Sequence, residues 1–414
     1  MNLPRIRVWV SLGLVGAAAL AQDPGALRIS GFGTLGVAHS SSEGAEFIRD
    51  LSQPRGSVGT FDPRLDSRLG VQATWTLSPD WSLVGQAVSK YRHDHTATPE
   101  LTWAFLSYAP SSHLQVRLGR LGWDVFQLAD TRNVGFSYLW ARPPVEFFGS
   151  LMVAYHDGVD LAWTSHLEQG RSLRMKVSGG WARGHVPQGP TGTSMSLDRS
   201  PVVGAVAELQ TESTTSRLAF ARMRAAQDWP LVEQMQAGLL GASQLLGDPG
   251  LARQAEALGF KGTTFHYSSA GFVWHGRHLK ADAAAALVTS DSGVVPDFKS
   301  AYLSLSENLG PFEPYLLASR VVSQHPDPYV GLLPGLGPGP AALAQGVQTL
   351  ATSLRMNQTS LAIGCRWDVH ARAAVKAQVQ QVRSTPGWNF LWANASPTWN
   401  GRATVATLTF DFVF

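Results

Sequence analysis

The 414-residue chain has one cysteine, Cys365, so no internal disulfide can staple it, and its fold must rest on hydrogen bonds and packing. Charge is scarce. Asp, Glu, Lys and Arg make up 15% of the residues, against about 25% in soluble domains. Long apolar runs are missing too: past residue 20 no stretch approaches the ~18 uninterrupted apolar residues that a membrane-spanning helix needs. The sequence contains no H-E-x-x-H, no Walker loop, no C-x-x-C and no G-x-S-x-G nucleophile elbow. These absences exclude a helical membrane protein and leave no catalytic residue, cofactor or metal site to nominate. The expectation is a protein that is not an enzyme.

What is present is glycine (41 residues), tryptophan (14) and a distinctive N-terminus. Arg5 and Arg7 precede an apolar run over residues 8–20, and Ala19-Leu20-Ala21 supplies small residues before Gln22. This is the pattern of an export signal, residues 1–21, cleaved after Ala21. Without Arg5 and Arg7, 31 of the 33 basic residues remain against 30 acidic ones, a balance that gives no reason to expect nucleic acid. No linker or compositional break divides residues 22–414, which read as one domain.

Alternation of apolar and polar residues, the period of a strand, recurs sixteen times, from 27–39 to 402–414. The connections alternate as well. Even-numbered ones are short, such as Ser78-Pro79-Asp80, whereas most odd-numbered ones are long, the longest covering 225–262 and 324–358. Short turns on one rim and long loops on the other predict an all-β fold: a transmembrane antiparallel up-and-down β-barrel of 16 strands, with short periplasmic turns and long extracellular loops. Trp75, Trp81, Trp163, Trp274 and Trp367 fall beside short turns, where a membrane–water girdle belongs. Helices are expected within 231–257 and 341–356, and a turn-rich segment at 334–340.

The C-terminal strand reads TVATLTFDFVF, with Ala406, Leu408, Phe410, Phe412 and Phe414 on one face and Val405, Thr407, Thr409 and Asp411 on the other. It resembles the C-terminal sorting signal of bacterial outer-membrane β-barrels, which makes Phe410, Phe412 and Phe414 the expected assembly signal. The connection 121–151 carries acidic Asp124, Asp130 and Glu146, basic Arg132 and Arg142, and the aromatics Trp123, Phe126, Phe136, Tyr138, Trp140, Phe147 and Phe148. So aromatic a segment should pack against something, either the barrel interior or the rim. It follows the fifth strand, and there the chain resembles the Gram-negative general porins, whose loop at that place folds inward and narrows the pore. The resemblance implies a water-filled channel for passive diffusion of small hydrophilic solutes or ions, a bacterial outer-membrane location among lipid and lipopolysaccharide, and a homotrimer.

Alternation turns Arg68, Arg117, Arg174, Lys176, Arg217, Lys280, Lys299 and Lys376 toward the lumen, because charge on the lipid face costs about 2–4 kcal/mol at midplane. Two outcomes stay open. A basic wall facing the loop carboxylates would set up a transverse field favouring anions; alternatively, these cations pair with lumen acids such as Asp282. The alternative functions are a substrate-selective channel for a sugar or anion, or a barrel that serves only as scaffold for an adhesin or enzyme. Two motif matches fit poorly: Gly31-Phe32-Gly33-Thr34-Leu35-Gly36 matches a dinucleotide signature but sits inside a strand, and His93-Asp94-His95 reads more simply as solvated loop than as a metal site.

Overall fold

Period-two patterning becomes period-two burial. In the strand Phe298–Glu307, Phe298, Ser300, Tyr302, Ser304 and Ser306 are buried, while Lys299, Ala301, Leu303, Leu305 and Glu307 are exposed. A strand with two such faces needs an interior on one side and a different medium on the other. The computed structural model describes residues 24–125, 128–188, 193–324 and 338–414. The predicted export signal, Phe126 and residues 334–337 of the turn-rich segment lie outside the described residues.

Sixteen long antiparallel strands, each paired with its chain neighbour, form the wall. They are β1 Leu27–Ser40, β2 Arg68–Ser78, β3 Trp81–Lys90, β4 Glu100–Tyr108, β5 Leu114–Gly122, β6 Tyr155–His166, β7 Ser172–Arg183 and β8 Pro201–Gln210. The second half comprises β9 Thr214–Arg224, β10 Thr264–His275, β11 Leu279–Ser290, β12 Phe298–Glu307, β13 Phe312–Ser323, β14 Met356–His370, β15 Ala373–Asn389 and β16 Arg402–Val413. β16 pairs with β1 from Phe32↔Val413 to Ser40↔Val405, which closes the ring and leaves no long edge. The Gly31 amide donates to the Phe414 carbonyl at 2.9 Å, and the Phe414 amide donates to the Gly31 carbonyl at 3.0 Å.

The seam explains the glycines of the first strand. A Cβ on Gly31 would lie 2.1 Å from the Phe414 ring, and one on Gly33 2.3 Å from the Phe412 ring. The dinucleotide-like motif is therefore a seat for the C-terminal phenylalanines. Leu69, Leu118, Val177, Leu218, Leu316, Leu361, Ile363 and Leu408 are exposed around the outer wall, an apolar surface suited to lipid. Trp75, Trp81, Trp163, Trp274 and Trp367 are exposed near the short turns, with Trp81 stacked on Tyr108 at 4.4 Å.

Three element boundaries have local causes. β6 begins at Tyr155 rather than Met152, because Leu151, Met152 and Val153 pack into an apolar cluster instead of pairing. The helices expected within 231–257 are Pro230–Leu246 and Pro249–Leu258, separated at Gly247 (φ 66°), after which Asp248 caps the second by accepting from the Gly250 amide at 2.7 Å. Helix Pro338–Ser353 stops short of Met356, which starts β14. With the one-turn helix Val145–Phe148 as α1, these three are α2, α3 and α4 in chain order.

Candidate functional site

Loop 3, residues 123–154, joins β5 to β6 and is tied to inward-facing residues on two sides of the barrel. On one side Asp124 accepts from Arg217 of β9 at 2.6 Å and Lys176 of β7 at 3.2 Å, with Arg174 at 3.6 Å. On the other, the Trp140 indole donates to Ser304 of β12 at 2.9 Å, and the Ala141 amide to the Tyr315 hydroxyl of β13 at 3.1 Å. Fully buried Glu146 accepts from Ser319 at 2.7 Å, from Gln358 at 2.6 Å and from Ser360. Lys376 of β15 donates to the carbonyls of Gly135 at 2.6 Å, Tyr138 at 2.7 Å and Trp140 at 3.2 Å, and pairs with Asp411 of β16 at 3.0 Å.

A further anchor comes from loop 1, residues 41–67. Asp66 binds the Arg142 guanidinium through Nε at 3.1 Å and through Nη2, and it binds Arg49 at 2.7 Å. Burial works against ionisation of Asp66, yet Arg142 and Arg49 outweigh it and hold the carboxyl down at about 2. Arg49 also donates to the Tyr138 hydroxyl at 2.9 Å. Sequence reasoning missed Asp66 and Arg49, because neither lies on a strand whose period could orient it.

The basic residues predicted to line the wall have three fates. Arg117, Lys176, Arg217 and Lys376 point inward but are buried and neutralised: Arg117 meets Asp160 at 2.5 Å, Lys176 meets Asp160 at 3.0 Å and Arg217 meets Glu208 at 2.9 Å. An open basic wall across water from the loop carboxylates is therefore not what these four form. Lys176, Arg217 and Lys376 also bind loop 3, whereas Arg117 is bound to Asp160 of β6, since a buried charge needs a partner. Arg68, Arg174 and Lys280 also point inward; Arg68 donates to the Arg132 carbonyl at 3.3 Å, and Lys280 sits by the short-turn rim opposite His275 and Ser306. Lys299 is a correction. It shares the outward face of β12 with Ala301 and Leu303, one residue out of phase with inward Phe298 and Ser300. Its position beside the long-loop rim gives the charge a polar level to reach, so the midplane cost that argued for an inward placement does not apply.

In loop 3, Arg132 lies 4.0 Å from Asp50, and Asp130 has one buried carboxyl oxygen without a hydrogen-bond partner among the described residues. His93 stacks on His185 at 4.4 Å, and His95 bonds the Tyr91 hydroxyl at 3.1 Å; among the described residues no cluster of three metal-ligating side chains occurs.

No protein-family model and no curated relative matches the sequence. Solved structures do. The chain aligns with OmpF of Salmonella typhi in complex with daunomycin at TM-score 0.55 and 10% identity, over 94% of this chain and 98% of that one. It aligns with an anion-selective porin from Comamonas acidovorans at 0.53 and 11%, over 94% and 99%, and with OmpT, an outer-membrane protein of Vibrio cholerae, at 0.53 and 11%, over 95% and 99%. The fold is that of the outer-membrane porins. At this identity the likeness is one of fold, and the chemistry of the lumen has to be read from this chain's own residues.

Within the barrel, loops 1 and 3 leave a cavity. Arg49, Arg68, Lys90 and Arg132 line it, against the single carboxylate Asp50. Arg68 and Lys90 stand directly opposite each other on β2 and β3, a like-charge pair that destabilises a sheet unless something negative offsets it. Burial opposes ionisation of Asp50, but Lys90 and Arg132 hold it below the usual carboxylate range. Sequence reasoning also passed over Lys90, although it shares the inward parity of Gln86 and Val88. Asn133, Ser52, Ser67 and Tyr91 add neutral polar groups to the lining.

Proposed function

We propose that the protein is a passive channel in the bacterial outer membrane that admits small hydrophilic solutes and prefers anions. The observation that carries the preference is the cavity beside loop 3, where four cations face one carboxylate and two of the cations are in direct register. An anion passing there relieves like-charge repulsion, and its low-dielectric surroundings strengthen that attraction. The closed wall, its apolar outer face and the tryptophans of one rim support the membrane setting. Lipopolysaccharide is the fitting neighbour at the other rim. There Arg320, Thr359, Arg383 and Arg402 follow one another in register on the outer face of β13 to β16, a cationic row at the height of anionic headgroups. Assembly as a homotrimer follows from the porin resemblance, and native mass measurement in detergent tests it.

A second reading, a substrate-selective channel, draws on the same anchors. Loop 3 is bound on two sides, and α2 to α4 share an apolar cluster with the wall, so the passage is narrower than an open lumen. Reconstitution in a planar bilayer separates the readings. Stepwise conductance with a reversal potential favouring chloride supports the anion channel, and marked cation preference overturns it. Flux that saturates with one solute favours the selective form.

A further inference from the structure

The lumen is filled on one side and lined by reachable groups on the other. Inward Ala221, Met223, Tyr267, Ala284 and Ala286 of β9 to β11 are buried in one apolar cluster with loop 3 and α2 to α4. On β15 and β16, inward Lys376, Gln378, Thr409 and Asp411 are buried as well. The inward side chains of β1 to β3 differ: Arg28 is exposed, and Ser30, Gln72, Thr74, Ser82 and Lys90 are half-buried. A solute that crosses the barrel meets this wall.

The wall has a charge pattern of its own. β1, β2 and β3 contain no aspartate or glutamate, and their cations Arg28, Arg68 and Lys90 all point inward. Inward Arg117 and Arg217, by contrast, each meet a carboxylate of the neighbouring strand. Arg28 stands opposite Thr74, on the strand that Arg68 begins. Six residues separate Arg68 from Thr74, and at roughly 3.3 Å per residue the two arginine positions are about 20 Å apart along the strand. Neutral hydrogen-bonding groups fill the interval. Ser30, Gln72 and Gln86 are in direct register. Gln86 donates to the Gln72 side-chain oxygen at 3.0 Å, Gln72 donates to Thr74 at 3.4 Å, and Thr102 donates to Gln86 at 2.9 Å. A carboxamide has two N–H donors and an oxygen with two acceptor sites, so half-buried Gln72 keeps bonding capacity toward the lumen.

We propose that this wall selects small carboxylates that carry hydroxyl groups, the class of the sugar acids. The proposal rests on the anion-channel reading and adds the body of the solute to its charge. The carboxylate is drawn to Arg68 and Lys90 at the loop 3 end, and Arg28 receives it at the short-turn rim. In between, a hydroxyl both donates and accepts, as Gln72 and Thr74 do, and so replaces the bonds to water that both sides give up. An alkyl chain of equal length leaves those polar groups unpaired as it passes. Successive weak sites let the solute leave as readily as it enters.

The test uses the mature full chain in a planar bilayer at neutral pH, with potassium chloride on one side and potassium gluconate or potassium hexanoate on the other. Reversal potentials give the permeability of each anion relative to chloride. The two organic anions share chain length and charge, and gluconate is the bulkier, so a pore that reads charge alone passes hexanoate at least as well. Gluconate is expected to permeate about fivefold better, the worth of one net hydrogen bond. Gln72→Leu should remove most of that advantage; if it does not assemble, Thr74→Val carries the comparison and should reduce it. Arg28→Ala, at an exposed position, should lower the permeability of both organic anions, and unchanged values would strike the short-turn site. Gluconate no more permeant than hexanoate in the wild type, or a Gln72 or Thr74 variant that keeps the full advantage, overturns the proposal and leaves an anion-preferring channel standing. Potassium preference in a plain potassium chloride gradient, or silence from folded protein, overturns the channel reading and the proposal together.

Discussion

Several buried charges of this barrel hold loop 3. Asp66 is the sharpest case, because its two arginine partners have side chains only 1% and 11% exposed and cannot easily find water once it is gone. Removing one member of a buried pair costs about 3–5 kcal/mol. Asp66→Ala should therefore lower the unfolding temperature and release the Tyr138–Arg142 stretch, seen as noisier and larger single-channel currents. Protonation should act in the same direction. The folded carboxyl sits at about 2, below the ~3.9 of an unfolded chain, so its contribution is complete above about pH 4 and is lost as pH falls toward 2. Conductance recorded stepwise from pH 5 to pH 2 should show this acid loosening, and the Asp66→Ala protein should lack that part of it. Lys90 gives the complementary prediction. Lys90→Glu puts a carboxylate opposite Arg68 and should shift the reversal potential toward cations, with stability lowered because buried Asp50 loses a cation that holds it ionised and gains a like charge beside it. An unaltered reversal potential would remove the cavity from the ion path.

Among the elements, the seam between β1 and β16 ties sequence to assembly most directly. Gly31 and Gly33 leave room for the rings of Phe414 and Phe412, and the Phe414 backbone makes two bonds to Gly31. Gly33→Ala should slow barrel closure, read as the fraction with heat-modifiable mobility after refolding, and pairing it with Phe412→Leu should recover part of the loss. Additive defects would mean that the two side chains do not meet. Strand positions were legible because alternation is set by what lies on each face: the expected bounds of β7 and β11 match the observed ones. β14 and β15 extend past their expected limits, to His370 and Asn389, because the ladder continues beyond the stretch where alternation is strong. Lys299 was misplaced because the cost of an outward charge depends on depth, which period alone does not report. Asp66, Arg49 and Asp50 were invisible for a different reason. They lie on loop 1, and only the folded path of that loop brings them to Arg142, Lys90 and Arg132.

At the scale of the whole molecule, one apolar cluster runs from the wall through loop 3 to the helices of the long fifth and seventh loops. Val232 and Leu239 of α2, Leu251 and Leu258 of α3, and Val347 and Leu350 of α4 are buried in it together with Trp123, Phe147 and Tyr267. The helices thus form a cap whose stability is shared with the constriction, rather than loops that hang from the rim. Each such side chain contributes about 1.5–3 kcal/mol by leaving water, enough to keep the cap seated while lengthening a surface loop costs comparatively little. Replacing residues 230–258 with a short glycine–serine linker removes α2 and α3 and strips α4 of its packing partner. The wall ladders at Arg224 and Thr264 remain paired, so the barrel should still form and still migrate as a folded species. Single-channel conductance should rise, and an environment-sensitive apolar dye should bind the newly exposed cluster. Unchanged conductance in a folded deletion protein would place the narrowest point of the passage at loop 3 alone. Loss of the folded barrel would instead show that the cap helps the wall to close.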